Sequence, residues 1–329
     1  MQRIASTLGL FPLPDAQRDR LADLKGHQKE DLIGGEEPPE LTETYDAARE
    51  RLIDDQHDAG LDRVVEGQAR WDDFLAHPLC VHESVRTEGI VRYYDNNNFY
   101  REPVVTDELT ESGDVAADLR KAAGLTDDLQ AVLPGPYSLS ALATDEYYGD
   151  RATFLDAVAE FLAGEAAAFP DAVETLYLLE PSLVTDAPES GEHERVRDAI
   201  DAVVGAVDAE VVVQGYWGTF DEALHGHLLD TDADALGYDL VTAEEAATDL
   251  VREHGTTDRV SLGVVDGQNT RVEEPAAVGD RVEAFREAAS SGIDAAYLTP
   301  NTELFHLPVN KCVAKLRTLA TAADPEVAR

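Results

Sequence analysis

The sequence is poor in cysteine and contains no long apolar run. Its two cysteines, Cys80 and Cys312, are too few for a disulfide framework, and no CxxC pair is present. No stretch of about 18 apolar residues could form a transmembrane helix, and the N-terminus lacks the apolar segment of a signal peptide. These absences predict a cytoplasmic protein that does not associate with membranes.

Basic residues are scarce as well. The chain has 26 Lys and Arg against 67 Asp and Glu, for a net charge of −41, and only five of the basic residues are lysines. Phosphate contacts need a basic surface, so nucleic acid is not an expected partner. An acidic surface repels itself at low salt, whereas about 1 M salt shortens the Debye length to ~3 Å. The composition therefore predicts a halophilic protein from a salt-rich cytoplasm.

Strand-like and helix-like segments alternate along the chain, and the helical ones carry apolar residues at three- and four-residue spacing. Such units in series build a parallel sheet with right-handed crossovers. Eight strands are predicted, at residues 6–10, 60–65, 130–133, 175–179, 210–213, 235–238, 260–265 and 293–298. Eight strands are enough to close an α/β fold of the (β/α)₈ type, a TIM barrel, as a single domain over residues 1–329.

Polar residues follow several of these strands. In a barrel of this type the active site lies at the C-terminal ends of the strands. Loops begin there in any barrel, so each polar residue alone says little, but the set favours a ligand-binding mouth. The candidate binding residues in this set are Glu180, Tyr216, Asp239, Asp266 and Asn269.

Residues 74–105 fit neither period well and predict a long excursion at one end of the barrel. Within it, the stretch 92–101 (RYYDNNNFYR) has four aromatic residues and two arginines, in a chain that is only 7% aromatic. Aromatic faces stack on planar rings and Arg binds carboxylates in bidentate fashion, which favours ligand binding. The alternative is a hydrophobic plug over the barrel. The candidate binding residues here are Arg92, Tyr94, Asp95, Asn97 and Arg101.

The residues give no sign of a metal site. Zinc needs three or four converging Cys, His or acidic ligands. The one close histidine pair, His225 and His227, is two residues apart in a predicted helix, so its rings should point to different faces. HExxH, GxSxG, P-loop and GxGxxG motifs do not occur.

Several segments, in order along the chain, resemble motifs of the cobalamin-independent methionine synthase family. Residues 177–183 (YLLEPSL) resemble its DEPAL motif after the fourth strand, and residues 133–138 (LPGPYS) resemble the loop after its third. Residues 262–271 resemble its seventh-strand segment, and residues 7–12 resemble its start. The resemblance covers nearly the whole chain and implies the superfamily that also contains the uroporphyrinogen decarboxylases.

Within that family, the chain is similar to the N-terminal barrel, which carries no zinc. Residues 92–97, 213–218, 235–241 and 299–308 match its KWFDTN, TTYFG, GLHLDLV and PSCSLLHVP elements. In the catalytic barrel the zinc ligands follow strands five, six and eight, where this chain has Gln214 and Tyr216, Tyr238 or Asp239, and Thr302. The resemblance therefore implies that this chain holds no metal, and that zinc is bound by a separate partner barrel.

The resemblance leaves three functions open. In the first, the chain is a methionine-synthase-type methyltransferase component that binds a methyl-folate donor, while a zinc-bearing barrel binds homocysteine. Arg18 and Arg92 would then hold the folate tail with Arg101, and Glu180 and Asp239 would hold an amino group or a pterin. The second is a metal-free enzyme like uroporphyrinogen decarboxylase, which would need several arginines for the carboxylates of its substrate. The third is a non-catalytic partner barrel.

Overall fold

Eight parallel strands form one sheet in the computed structural model, which describes residues 1–21, 37–71, 73–92 and 99–324. The strands of this sheet are β1 (Gln2–Ala5), β2 (Val64–Val65), β5 (Leu129–Pro134), β7 (Val173–Leu179), β8 (Glu210–Gln214), β9 (Ala235–Asp239), β10 (Arg259–Val265) and β11 (Ala295–Pro300). From β2 onward each pairs with the next one along the chain, and β11 pairs with β1. The N–H groups of Asp62 and Arg63 donate to Ala5 O, which joins β2 to β1. The predicted (β/α)₈ barrel is confirmed.

Helices surround this barrel, and a small second sheet lies beside it. The helices are α1 (Asp15–Leu21), α2 (Pro39–Ala59), α3 (His77–Cys80), α4 (Asp114–Ala122), α5 (Pro136–Leu142), α6 (Arg151–Ala167), α7 (Ser182–Thr185), α8 (His193–Val204), α9 (Glu222–Leu229), α10 (Glu244–His254), α11 (Pro275–Ala288) and α12 (Val309–Ala323). The small sheet contains β3 (Val85–Arg92), β4 (Phe99–Val105) and β6 (Thr144–Asp145). Within the described ranges, no helix is both long enough and apolar enough to cross a membrane.

Helices on the outside and side chains on the inside bury the barrel strands on both faces. Every residue of β5, β9 and β11 is buried, as expected for parallel strands under a helical layer. Inside the barrel, Tyr177 donates to Ser261 Oγ at 3.2 Å, and Gln130 Nε2 donates to Thr7 O at 2.7 Å. The ring of Tyr297 meets that of Tyr177 edge-on. The interior is therefore a packed core rather than a pore.

The first strand was predicted four residues too late. Residues 6–10 are buried, which is why their pattern reads as a strand, but the strand itself is Gln2–Ala5. Gly9 and Leu10 have φ values of 78° and 44°, so the chain bends there. The N–H of Leu10 donates to Gln68 Oε1 at 2.7 Å instead of to a neighbouring strand. The buried segment is thus the loop that follows the C-terminal end of β1.

The excursion contains regular structure that the sequence did not predict. Its strands β3 and β4 pair as an antiparallel hairpin, and β6 adds to β4 in parallel. The residues of β3 are exposed or half-buried throughout, with none fully buried. An exposed strand lacks the apolar alternation on which a prediction rests, and this explains why residues 85–92 fitted neither period. In β4, residues 103–105 are buried consecutively, so that strand shows no alternation either.

Substitution of Gly263 tests how tightly the mouth of the barrel is packed. We expect Gly263→Ala to destabilise the barrel, because the new methyl carbon would lie 2.7 Å from Asn301 Cα. Overpacking of this kind costs about 1–3 kcal/mol. Gly226→Ala in α9 is the control, since nothing lies within 4 Å of its methyl carbon, and it should stabilise by ~0.5–1 kcal/mol. Denaturant titrations measure both free energies of unfolding, and equal effects would contradict the tight packing.

Candidate functional site

Glu180, directly after β7, is fully buried and bonded on both oxygens. Its Oε1 accepts the N–H of Tyr137 at 2.9 Å, and its Oε2 accepts the N–H of Ser138 at 2.8 Å. These donors belong to the first turn of α5, where N–H groups have no partner within the helix. Burial raises the pKa of Glu180 to about 7 in spite of these bonds. The carboxyl group thus ties the end of β7 to the loop after β5.

Asp239, the last residue of β9, is also fully buried and accepts five hydrogen bonds. Its Oδ1 accepts the N–H groups of Val241 and Thr242 at 2.8 and 2.9 Å. Its Oδ2 accepts the Trp217 N–H at 2.9 Å, the Thr242 hydroxyl at 2.6 Å and Asn301 Nδ2 at 3.1 Å. Five donors fill the acceptor capacity of a carboxylate. Asp239 thereby fastens the loops after β8, β9 and β11 to one another.

The residues at the family's zinc positions do not fit zinc. Gln214 Nε2 donates to Gly215 O at 2.8 Å, and Thr302 Oγ1 donates to Glu303 O at 3.3 Å. Amides and hydroxyls are not the ligands of such centres, and Asp239 has no capacity left. In the part of the chain that the structure describes, no three His, Cys, Asp or Glu residues are grouped so that they could hold a metal ion.

The histidine pair in α9 and Cys312 have surroundings other than these carboxylates. His225 Nε2 lies 2.9 Å from the Tyr238 hydroxyl, and burial lowers the pKa of His225 to about 4. The His227 ring instead contacts His193, with 5.4 Å between centroids. Cys312, on α12, is buried, and this burial raises the pKa of its thiol to about 12. The two rings therefore have separate neighbours, in line with their spacing in the sequence.

A cover segment, residues 73–80, lies across the end of β8. Its Phe74 ring is buried and packs against the rings of Tyr216 and Trp217, with centroid distances of 6.0 and 6.1 Å. Tyr216 is only 1% exposed beneath it, so the described surroundings leave it no solvent-facing surface. Phe74 thus makes an apolar contact at the end of β8, and residues 93–98 of the stretch for which a plug was the alternative lie outside the described residues.

Ion pairs fasten this cover segment to α4. His77 Nε2 lies 3.1 Å from Asp114 Oδ2, and Arg70 Nη1 bonds to Asp114 Oδ1 at 2.9 Å and to Asp118 Oδ2 at 3.0 Å. Burial alone would raise the pKa of Asp114, but the hydrogen bond from His77 and the charge of Arg70 outweigh it and lower the pKa to about 2. Asp114 is therefore held in its charged form at neutral pH.

The same network continues to the end of β2. Arg49, 2% exposed, bonds to Asp118 Oδ1 at 2.6 Å and to Glu66 Oε2 at 3.2 Å. Burial, reinforced by the charge of Asp118, raises the pKa of Glu66 to about 7. Sequence reasoning missed this network, although one signal was present: Arg49 interrupts the apolar stripe formed by Tyr45, Leu52 and their neighbours on α2.

Arg92 and Arg101 lie on one face of the β3–β4 hairpin. Arg101 pairs with Ile90, and paired residues of antiparallel strands point to the same side. Arg92 lies two residues after Ile90 on β3, so it points to that side as well. On this face Ile90 is 66% exposed and Arg92 is exposed, while Arg101 is half-buried. Tyr100 points the other way, and its hydroxyl donates to Leu142 O at 3.0 Å.

The remaining candidate residues are dispersed. Arg18 is exposed on α1 and forms an ion pair with Asp15 at 2.5 Å. Asp266 and Asn269 occupy the loop after β10, where Asn269 is exposed and its Oδ1 accepts the Arg271 N–H at 2.9 Å. The structure thus brings Tyr216 and Asp239 together through Trp217. Tyr94, Asp95 and Asn97 lie outside the described residues.

Known proteins are similar to this chain in sequence and in fold. The family model described as cobalamin-independent synthase, N-terminal domain, matches residues 81–290. The methionine synthase of Saccharolobus solfataricus is 22% identical over 86% of this chain and 82% of its own length. That of Sulfolobus acidocaldarius is 23% identical over 94% of this chain and 88% of its own length.

A longer relative and two solved structures extend the comparison. The 5-methyltetrahydropteroyltriglutamate–homocysteine methyltransferase of Nitratidesulfovibrio vulgaris is 31% identical over 73% of this chain, which covers only 32% of that protein. The B12-independent methionine synthase of Shewanella sp. W3-18-1, solved with selenomethionine, superposes with a TM-score of 0.74 at 18% identity, covering 98% of this chain and 96% of that one. A putative vitamin-B12-independent methionine synthase from Listeria monocytogenes gives 0.70 at 17% identity, covering 97% and 96%. At such identities the superpositions support the fold.

A substitution of Asp114 tests whether its ion pairs stabilise the cover segment. We expect Asp114→Asn to lower the free energy of unfolding at pH 7 by about 1–3 kcal/mol, because Arg70 and His77 lose a charged partner. The folded-state pKa of about 2 lies below the ordinary aspartate pKa of 3.8, so this stabilisation is full above pH ~4 and is lost as the pH falls towards 2.

The pH dependence distinguishes this effect from a general loss of charge. Denaturant titrations between pH 2 and pH 7 should show the difference between wild type and Asp114→Asn shrinking as the pH falls. Asp127→Asn removes one exposed acid and is the control, for which we expect little change. A difference that does not depend on pH would argue against the ion pairs as its source.

Proposed function

This chain belongs to the cobalamin-independent synthase family, whose N-terminal domain its residues 81–290 match, and we propose that it is the zinc-free barrel of a methionine-synthase-type methyltransferase. In this proposal the chain binds a methyl-folate donor, and a separate barrel carries zinc and homocysteine. Relatives that are named methionine synthase and align over most of this chain support the reaction class.

The observation that carries the proposal is the arginine pair on the exposed face of the hairpin. Arg101 is two residues beyond the partner of Arg92, a diagonal arrangement whose Cβ atoms are typically about 7–8 Å apart. Two guanidinium groups at this spacing can bind adjacent carboxylates. The γ-linked glutamate tail of a folate carries such a series of carboxylates. We therefore assign the tail to the hairpin, with Tyr94, Asp95, Asn97 and Arg18 as further proposed contacts.

The rest of the donor would lie towards the loop after β10, where Asp266 and Asn269 stand. Glu180, Tyr216 and Asp239 have a supporting part in this proposal, since they are buried and the two carboxylates already bind protein donors. These three residues fix the mouth on which the donor rests.

A second barrel is needed because of the thiol of homocysteine. A thiol must become a thiolate to accept a methyl group, and bound zinc produces thiolate near neutral pH. The side chains at positions 214, 239 and 302 do not fit zinc, so we propose that zinc and homocysteine are held by the partner.

Donor binding by the hairpin is directly testable. We expect 5-methyltetrahydropteroyl-triglutamate to raise the melting temperature in a concentration-dependent way. Arg92→Ala and Arg101→Ala should each weaken its binding about tenfold, since charge-assisted hydrogen bonds contribute ~1.5–3 kcal/mol. Arg252→Ala, on the exposed part of α10, is the control. The monoglutamate form should lose less affinity in both variants.

Other outcomes would decide against this proposal. Stabilisation by a porphyrinogen and not by folates would favour a decarboxylase. No shift with either ligand, and no gain in homocysteine methylation when this chain is added to a zinc-bearing barrel of the family, would favour a non-catalytic partner barrel.

We also propose that the protein works in the salt-rich cytoplasm of a halophile. The net charge of −41 opposes folding wherever it is unscreened. We expect the midpoint of thermal unfolding to rise steadily from 0.1 to 2 M potassium chloride, over which the Debye length falls from ~10 to ~3 Å or less. A midpoint that is flat across this range would contradict the proposal.

A further inference from the structure

Lys315 is one of the five lysines of this chain, and it is fully buried. It lies on α12, and its Nζ donates to Arg271 O at 2.5 Å and to Glu273 Oε2 at 2.7 Å. Both acceptors belong to the loop between β10 and α11, residues 266–274, which we name the β10 loop. A lysine that the halophilic composition disfavours is thus placed beneath one loop of the barrel mouth.

Glu273 also contacts the start of the β10 loop. Its Oε1 accepts the N–H of Asp266 at 2.9 Å, while its Oε2 accepts Lys315. One carboxylate therefore bridges the two ends of the β10 loop. On the next turn of α12, Thr318 Oγ1 donates to Glu273 O at 3.1 Å, so the same helix face binds both the side chain and the backbone of Glu273.

The start of the loop is also joined to the mouth. The N–H of Gly267 donates to Asn301 Oδ1 at 3.0 Å, and Asn301 Nδ2 in turn donates to Asp239. Between these two anchors, Gln268 and Asn269 are exposed. The anchored ends hold a short turn that presents polar side chains at the rim.

Stability alone does not account for a buried lysine. Moving a charged lysine out of water costs free energy. A buried ion pair can often be replaced by apolar side chains of similar volume without loss of stability. An apolar pair would fill the space, but it could not hold a backbone carbonyl and a backbone N–H of the loop in fixed positions. Directionality is what the ion pair adds.

We infer that Lys315 is a positioning residue, which acts through Glu273 to fix the β10 loop so that Asp266 and Asn269 can contact a ligand at the barrel mouth. The fixed loop follows from the contacts alone. The identity of the ligand, a methyl-folate donor, rests on the proposed function.

Hydrogen exchange of the β10 loop tests the first part without any ligand. We expect the amides of residues 266–271 to exchange at least about tenfold faster in Lys315→Met. The double variant Lys315→Met with Glu273→Met removes both charges and should recover much of the melting temperature, yet keep the fast exchange. Lys311→Met, one turn earlier on α12, is the matched control and should leave the loop unchanged. Recovery of slow exchange in the double variant would overturn the inference.

Affinity for 5-methyltetrahydropteroyl-triglutamate tests the second part. In the double variant we expect affinity to fall several-fold, at a melting temperature near that of wild type, and Lys311→Met should bind as wild type does. Unchanged affinity with a loosened loop would overturn the role in ligand binding. If wild type itself binds no folate, the proposed function fails, and the exchange data still decide whether Lys315 fixes the loop.

Discussion

The buried carboxylate of Asp239 is the interaction on which the barrel mouth depends. Its five donors come from the loops after β8, β9 and β11, and Asn301 extends the link to the loop after β10. A buried charge is tolerable only when its lone pairs are filled, so these loops are constrained to converge on it. At the rim, Glu180 and Lys315 are likewise buried ionisable side chains that bond to backbone groups. Buried polar groups inside this mouth thus organise the loops around it.

The sequence predicts the barrel well where burial is continuous. Strands β7 to β11 are apolar runs between amphipathic helices. These features predict both the type of each element and the order of the elements along the chain. The first strand was misplaced because burial, without backbone angles, does not distinguish a strand from the bent loop at Gly9. The hairpin was missed because an exposed strand has no apolar alternation.

The candidate site was predictable only in part, for a different reason. Position at a strand end identified Glu180 and Asp239 as candidates, but most of their partners are backbone N–H groups, which carry no signature in a sequence. The network around Arg49 and Asp118 joins residues far apart in the chain, and such pairing is visible only after folding. The sequence therefore identifies which charged residues follow the strands, and the structure shows which protein groups they contact.

The bonding of Asp239 also bears on how this barrel could change over time. Histidine or cysteine at positions 214 and 302 would supply ligand types of a zinc centre, but the carboxylate of Asp239 would still be engaged by five protein donors. The space is closed as well, since the Gln214 side chain lies directly against the backbone of Gly237, where even a methyl carbon would be 2.1 Å from its oxygen. Several loops would have to change their structure together before a variant of this barrel could hold a metal ion. Single substitutions at these positions would therefore not be enough to create a metal centre in this barrel.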